Sequence, residues 1–377
     1  MIPVNEPLLS GRELDYVSEC VRTGWISSAG KFIEEFEERW AAYCGRRYGI
    51  AVSNGTAALQ LSVACIGLAP GDEVIIPSFT IISCALAVIY NGGVPVLVDA
   101  DPSSWCMDVS RVEEKIGPRT RAIMPVHIYG HPVDMDALGE LARRYGLILI
   151  EDAAEAHGAQ YLTGRDTAHP RWKRCGSFGA LSAFSFYANK PVTTGEGGMI
   201  LTDDASLAEK ARSLRNLAFQ SERRFYHEEL GTNFRLTNLQ AALGVAQVER
   251  IDEIIARKRL IGQQYTQRLK DIEHVSLPVE QPWARSIYWM YGLVLSEESE
   301  MEAAQLAERL KGLGIETRPF FLGMHEQPAF HKRGLFLHES YEVAERLARR
   351  GLYLPSGLTL TEEQQARVCE ALHMVLS

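Results

Sequence analysis

The stretch MDALGELARRYGLILIEDAAEA, residues 135–156, changes its periodicity part-way. Its first half reads as a helix that stops at Gly146. Its second half, LILI, is an unbroken apolar run closed by Glu151 and Asp152. A short strand that is apolar on both faces and follows a helix belongs to a parallel sheet covered on both sides. The same alternation extends from about residue 50 to 200. GIAVSN, DEVIIPS, VPVLVDAD and RAIMPVHIYG read as strands, and TAALQLSVACIGL and SCALAVIYNG as helices. The expected fold class is therefore α/β with a mostly parallel sheet.

Outward from this region the pattern changes. NFRLTNLQAALGVAQVERIDEIIARKRLIGQQYTQRLK predicts a long helical region, with Leu239, Leu243, Val248, Ile251 and Ile255 on one buried face. Beyond it, YWMYGLVL and IETRPF read as strands, AAQLAERLKGLG as a helix, and the end as helical again. The expected organisation is a large domain over 1–250, N-terminal segment included, and a connecting helix with a smaller C-terminal α+β domain over 251–377. No internal repeat is visible.

Composition narrows the function classes. The 377 residues are 46% hydrophobic and 23% charged, enough for real cores and too apolar for disorder. The net charge is −9 with basic residues dispersed, which argues against a nucleic-acid surface. Seven cysteines without CxxC spacing read as reduced thiols of a cytoplasmic protein, not as a disulfide framework or a zinc site. The start, MIPVNEPLLSGRELDYV, lacks the features of a signal peptide. VIIPSFTIISCALAVIY, residues 74–90, is uncharged, but it is short for a membrane span and contains Pro77; a buried strand and helix fit better.

In such sheets ligands bind beyond the carboxyl ends of the strands, which directs attention to SNGT, PSFT, HIYG and EDAAE. Ser53-Asn54-Gly55-Thr56 opens a helix, and the N–H groups of Thr56 and Ala57 suit a phosphate, although ordinary capping explains the same residues. Asp152 at a strand end is either a cap or a carboxylate aimed at a cationic ring nitrogen. In SFYANKPVTTGEGGM, residues 185–199, Lys190 is a lone cation between an aromatic run and a glycine-rich turn. It is either a snorkelling surface lysine or an amine whose neutral, nucleophilic form is favoured by an apolar pocket. Phosphate cradle, ring-nitrogen carboxylate and Schiff-base lysine are together what pyridoxal 5′-phosphate (PLP) requires.

GWISSAGKFIEEFE, SNGTAALQL, PGDEVIIPSFT, PVHIYGHPVDMD, IEDAAEAHGA, FSFYANKPVTTGEGGMILT, NFRLTNLQAALGVAQVERID and ETRPFF cover nearly the whole chain. On these motifs the chain resembles the DegT/DnrJ/EryC1/StrS family of sugar aminotransferases. The resemblance implies a type I (aspartate aminotransferase-like) PLP fold with a seven-stranded large-domain sheet. It further implies that Lys190 binds the PLP/PMP cofactor and moves the proton, that Asp152 pairs with the pyridine nitrogen and that Glu155 lies near the phenolic oxygen. Thr56, Ala57 and Ser185 would hold the phosphate, Ile81 would face the ring, and Asn233 would reach the neighbouring phosphate across a homodimer. The implied substrates are L-glutamate and a nucleotide-linked 4-keto-6-deoxy sugar, GDP-linked in preference to dTDP- or UDP-linked. No metal, nucleic acid or membrane is implied.

Three features depart from the family pattern: Ile81 where an aromatic residue is usual, Ala188 where the GDP-sugar members have Gly, and a long basic segment over 161–179. Phe79 is an alternative partner for the ring. For the sugar nucleotide, Arg235, Arg318, Arg223 and Arg224 are candidate diphosphate ligands, and His325 and His127 candidate site histidines. Each is equally readable as a surface or structural residue. Lys190 argues against the family's dehydratase branch, which carries His there, and Lys190, Asp152 and Ser185 together argue against a non-catalytic relic.

Overall fold

The structure, a computed structural model, describes residues 1–220, 222–223 and 225–376. Five strands come first: β1 (Tyr48–Val52), β2 (Glu73–Pro77), β3 (Val94–Val98), β4 (Thr120–Ile123) and β5 (Ile148–Asp152). A hairpin of β6 (Gln160–Thr163) and β7 (Arg171–Arg174) follows, and then β8 (Leu181–Ser185) and β9 (Gly198–Thr202). The large sheet has the order β1-β9-β8-β5-β4-β2-β3. Strands β3, β2, β4, β5 and β8 pair in parallel, and β9 runs antiparallel between β8 and β1. This is the mostly parallel seven-stranded sheet of the type I fold.

Local chemistry explains how residues 135–156 enter it. Asp134 caps the helix Met135–Tyr145 by accepting from the Ala137 N–H at 3.4 Å, and Gly146 ends it at a φ of 66°. Leu138, Leu141 and Ala142 face inward, and Leu149 to Asp152 are buried in the sheet. The apolar stretch 74–90 becomes β2 and the helix Ser83–Tyr90.

Three local readings change. Residues 161–179, read as a long loop, contain the β6–β7 hairpin, to which the strand Ala284–Arg285 adds a third strand. Three of its basic groups are used by the protein itself. Arg165 pairs with Asp134 at 2.7 Å, Lys173 donates to the Ser177 carbonyl at 3.0 Å, and Arg174 to the Tyr43 carbonyl at 3.0 Å. The long helical region is two helices, Asn238–Val248 and Ile251–Leu269, because Arg250 leaves helical geometry and pairs with Glu253 at 2.9 Å. The second sheet gains a strand, Gly351–Leu354, which lies between Tyr291–Leu295 and the two-residue strand Arg318–Pro319.

The larger core lies around the seven-stranded sheet and takes in Phe320, Met324 and Phe330 from the C-terminal part. A second core joins Ile261, Tyr265 and Leu269 to the second sheet and includes Ile2, whose N–H donates to the Gly314 carbonyl at 2.7 Å. In the first core Trp40 is fully buried, with the rings of Phe186, His157 and Phe184 edge-on at 4.9, 5.0 and 5.1 Å. Trp40→Ala is expected to cost about 3–5 kcal/mol, read as a lower urea midpoint. Met374→Ala, at a 70% exposed site, is expected to change stability by no more than about 0.5 kcal/mol.

Candidate active site

Alternation along β5 sends its two terminal carboxylates to opposite faces. Glu151 is fully buried and saturated with donors. One oxygen accepts from His127 Nε2 at 2.8 Å and from the Gly176 N–H; the other accepts from the N–H groups of Phe178 at 2.9 Å and Gly179 at 3.3 Å. His127 Nδ1 accepts from the Val133 N–H at 3.0 Å, which leaves the hydrogen on Nε2. Burial alone would raise the Glu151 pKa, but His127 and the backbone donors hold it below the ordinary carboxylate value. The Cys175 thiol lies within 4.8 Å of both side chains. With four donors on its two oxygens, Glu151 has no lone pair left for a cation, so this trio is a structural hub. His127 is part of the hub and does not line the cavity described below.

Asp152, 1% exposed, faces the other way. Its oxygens accept from the Ala154 N–H at 3.0 Å and the Cys84 thiol at 3.2 Å. Burial raises its pKa, and Lys190 is among the influences opposing that rise. Glu155 is also buried and accepts from the Tyr129 N–H at 2.7 Å. Burial raises its pKa too, against the attraction of Lys190. Lys190 is partly accessible through the cavity mouth, yet desolvation is the largest influence on its amine. That lowers its pKa against the pull of Glu155 and then Asp152.

These groups line one cavity of about 660 Å³ at the carboxyl ends of β1, β2, β5 and β8, together with Gly55, Thr56, Ile81 and Ser185. Helix Gly55–Ile66 opens at its wall. A Cβ on Gly55 would lie 2.6 Å from Ser185 Cβ, so only glycine lets this helix start against β8. Asn54 caps the helix by accepting from the Ala57 N–H at 2.8 Å. The amide expected from Ala57 is thus already engaged, whereas those of Gly55 and Thr56 have no partner among the described residues. The Thr56 hydroxyl lies 2.8 Å from Ser83 Oγ. Ile81 is 43% exposed at the mouth, while Phe79 turns into the core against Phe320 at 5.8 Å. Phe79 is therefore not a second partner for a ring in the cavity.

The other sequence candidates lie apart. Arg235 donates to Asn216 Oδ1 at 2.7 Å and lines a separate cleft with Arg212 and Arg215. Asn233 is exposed, with no side-chain hydrogen bond among the described residues. Arg318 pairs with Glu316 at 2.6 Å and sits opposite Tyr353 in the second sheet. His325 is buried against Tyr341, its Nε2 3.1 Å from Glu345, and is not among the residues that line the cavity. Arg223 rests over the Tyr226 ring at 4.5 Å. Arg224 lies outside the described residues. Sequence reasoning missed Trp289, Phe321 and Tyr353, which close the cavity from the C-terminal part. Only Asn54 had a local signal, as an N-cap residue.

The DegT/DnrJ/EryC1/StrS aminotransferase family model matches residues 7–373. The chain belongs to this family. It is a PLP-dependent aminotransferase. It is similar to the GDP-perosamine synthase of Caulobacter vibrioides, at 46% identity over 100% of this chain and 98% of that one. It is also similar to the GDP-perosamine synthase of Escherichia coli O157:H7, at 40% over 99% and 98%. Among solved structures, DesV of S. venezuelae in complex with a ketimine intermediate superposes with a TM-score of 0.88 at 36% identity, covering 97% of this chain and 94% of that one. Among the described residues of the aminotransferase, no helix is long and apolar enough to cross a membrane.

Folding holds the Glu151 carboxyl below its unfolded value of about 4.3. Its contribution to stability is fully present above that pH and is lost as the pH falls through the lower folded value. Glu151→Gln is therefore expected to be less stable at neutral pH and to lose less stability on acidification. Urea midpoints measured between neutral and acidic pH check this.

Proposed function

We propose that this aminotransferase transfers an amino group from L-glutamate to C4 of GDP-4-keto-6-deoxymannose, giving GDP-perosamine. The observation that carries the reading is one cavity holding a desolvated lysine amine, two buried carboxylates and two free amides at a helix start. Identity of 46% to a GDP-perosamine synthase over the full chain supports the sugar.

The lining suits PLP, which when bound supplies an electron sink that acidifies the C–H bond beside the transferred nitrogen. Lys190 would be the nucleophile that holds the cofactor through its aldehyde, and its amine, when free, would carry the proton beside the transferred nitrogen. Desolvation keeps a neutral fraction available for both tasks. Asp152, fixed by the Ala154 N–H and Cys84, presents a carboxylate to the pyridine nitrogen. Glu155, its pKa raised by burial, keeps a proton to donate toward the phenolic oxygen. The Gly55 and Thr56 amides, with Ser185, receive the phosphate, and Ala57 sets the helix start through its bond to Asn54. Ile81, on the cavity lining, would face the ring.

A second copy completes the site in this reading. Asn233, exposed and without a side-chain bond, is free to reach the neighbouring phosphate. Leu14, Val21 and Trp25, 78%, 64% and 58% exposed, offer an apolar surface for a homodimer contact. Arg235 and Arg318 are the candidate diphosphate ligands. Seven free, buried cysteines support a cytoplasmic setting.

Visible absorbance of the PLP-loaded enzyme tests the assignment. The band of the lysine-bound cofactor is expected to disappear with L-glutamate and return with GDP-4-keto-6-deoxymannose. Loss without return rejects this acceptor and directs the test to dTDP- and UDP-linked keto sugars; absence of the band overturns the role of Lys190. Lys190→Ala is expected to lose the band and to lower turnover by at least about 10²–10⁴-fold.

A further inference from the structure

The Lys190 amine touches neither carboxylate. Among the described residues its Nζ has no hydrogen bond, and it sits over the indole of Trp289, with the ring centroid 3.4 Å away. Trp289 comes from the C-terminal part and is 5% exposed. It grips the same segment a second time, because its Nε1–H donates to the carbonyl of Asn189 at 2.9 Å. The tryptophan is itself held on two sides. Its carbonyl accepts from the buried Lys258 amine at 2.8 Å, and that amine also donates to the Ser356 carbonyl. Its ring stacks on Tyr129 with centroids 6.2 Å apart.

We propose that Trp289 is a positioning residue for Lys190: its indole face seats the lysine amine whenever that amine is not bonded to cofactor, while its N–H fixes the segment that carries the lysine. The proposal rests on the assignment of Lys190 as the cofactor lysine. An aromatic face attracts an ammonium and is indifferent to a neutral amine. The seat therefore opposes desolvation and holds the freed amine at one wall of the cavity instead of letting it swing. The other groups acting on this amine are Asp152 and Glu155, which favour its charge when they are ionised, and His157, whose own pKa is lowered to about 3 by burial and by Lys190, and which therefore stays neutral. None of these is within hydrogen-bond reach of Nζ, so the indole is the contact that fixes its position.

The test uses full-length, cofactor-free enzyme and free PLP as the probe. The rate of PLP capture is followed from about pH 6 to about pH 10, a range chosen to bracket a lowered lysine pKa. Capture requires the neutral amine, so the midpoint of the rate profile reports the ammonium's stability. In Trp289→Leu the midpoint is expected to fall by about 0.5–1.5 pH units. Trp289→Phe, which keeps a weaker ring, is expected to fall between the two. A midpoint in either variant that stays at the native value or rises overturns the proposal, and Trp289→Phe carries the test if Trp289→Leu does not fold. Borohydride reduction and peptide mapping accompany each profile. Cofactor linked elsewhere than Lys190 overturns the Lys190 assignment and this proposal with it. Linkage at Lys190 with an unmoved midpoint overturns the role of Trp289 alone.

Discussion

One enclosure at the carboxyl edge of the sheet holds an amine and two carboxylates away from bulk water, and much of the surrounding structure serves to make that tolerable. Burying an unpaired charge costs several kcal/mol, on the order of the stability of a whole domain. The protein meets the cost without a direct ion pair. Each carboxylate takes hydrogen bonds from groups that are not acids or bases at neutral pH: a backbone N–H and a thiol for Asp152, a backbone N–H for Glu155. The lysine is left to a ring face. The three groups stay close enough to shift one another's protonation and apart enough for a flat, charged cofactor to enter between them.

Such an arrangement needs a rigid support, and the other carboxylate of β5 supplies one. Glu151 collects His127 and three backbone amides from the turn before β8, and so ties the strand that presents Asp152 to the strand that leads to Lys190. Helix Gly55–Ile66 is brought against Ser185 by the missing side chain at Gly55. The cavity walls are thus fixed by contacts within the larger core, and its lid residues, Trp289, Phe321 and Tyr353, come from the C-terminal part. Parts of the chain distant in sequence thus meet at the cavity.

What the sequence made legible follows from the range of the interaction involved. Apolar runs alternating with helices reveal a parallel sheet because each strand's burial is written in its own residues. Lys190 stood out because a lone cation among aromatics is a local anomaly. At the helix start both readings were local: Asn54 is a strong N-cap residue, and it takes the Ala57 amide that a phosphate would also suit. The opposite orientations of Glu151 and Asp152 follow from strand parity, but that Glu151 pairs with His127 does not. The hairpin over 161–179 was invisible because its third strand lies more than a hundred residues on. For the same reason no pattern near residue 289 announces that its ring will meet Lys190, nor that Glu345 will claim His325.

The central claim is that the sheet edge delivers Asp152 as a carboxylate to the cofactor's pyridine nitrogen. ¹⁵N NMR of the full-length enzyme loaded with ring-labelled PLP measures the protonation of that nitrogen directly. The account predicts a protonated nitrogen in the native enzyme at neutral pH and a largely unprotonated one in Asp152→Asn. An unprotonated nitrogen in the native enzyme, or one that Asp152→Asn leaves unchanged, would contradict it.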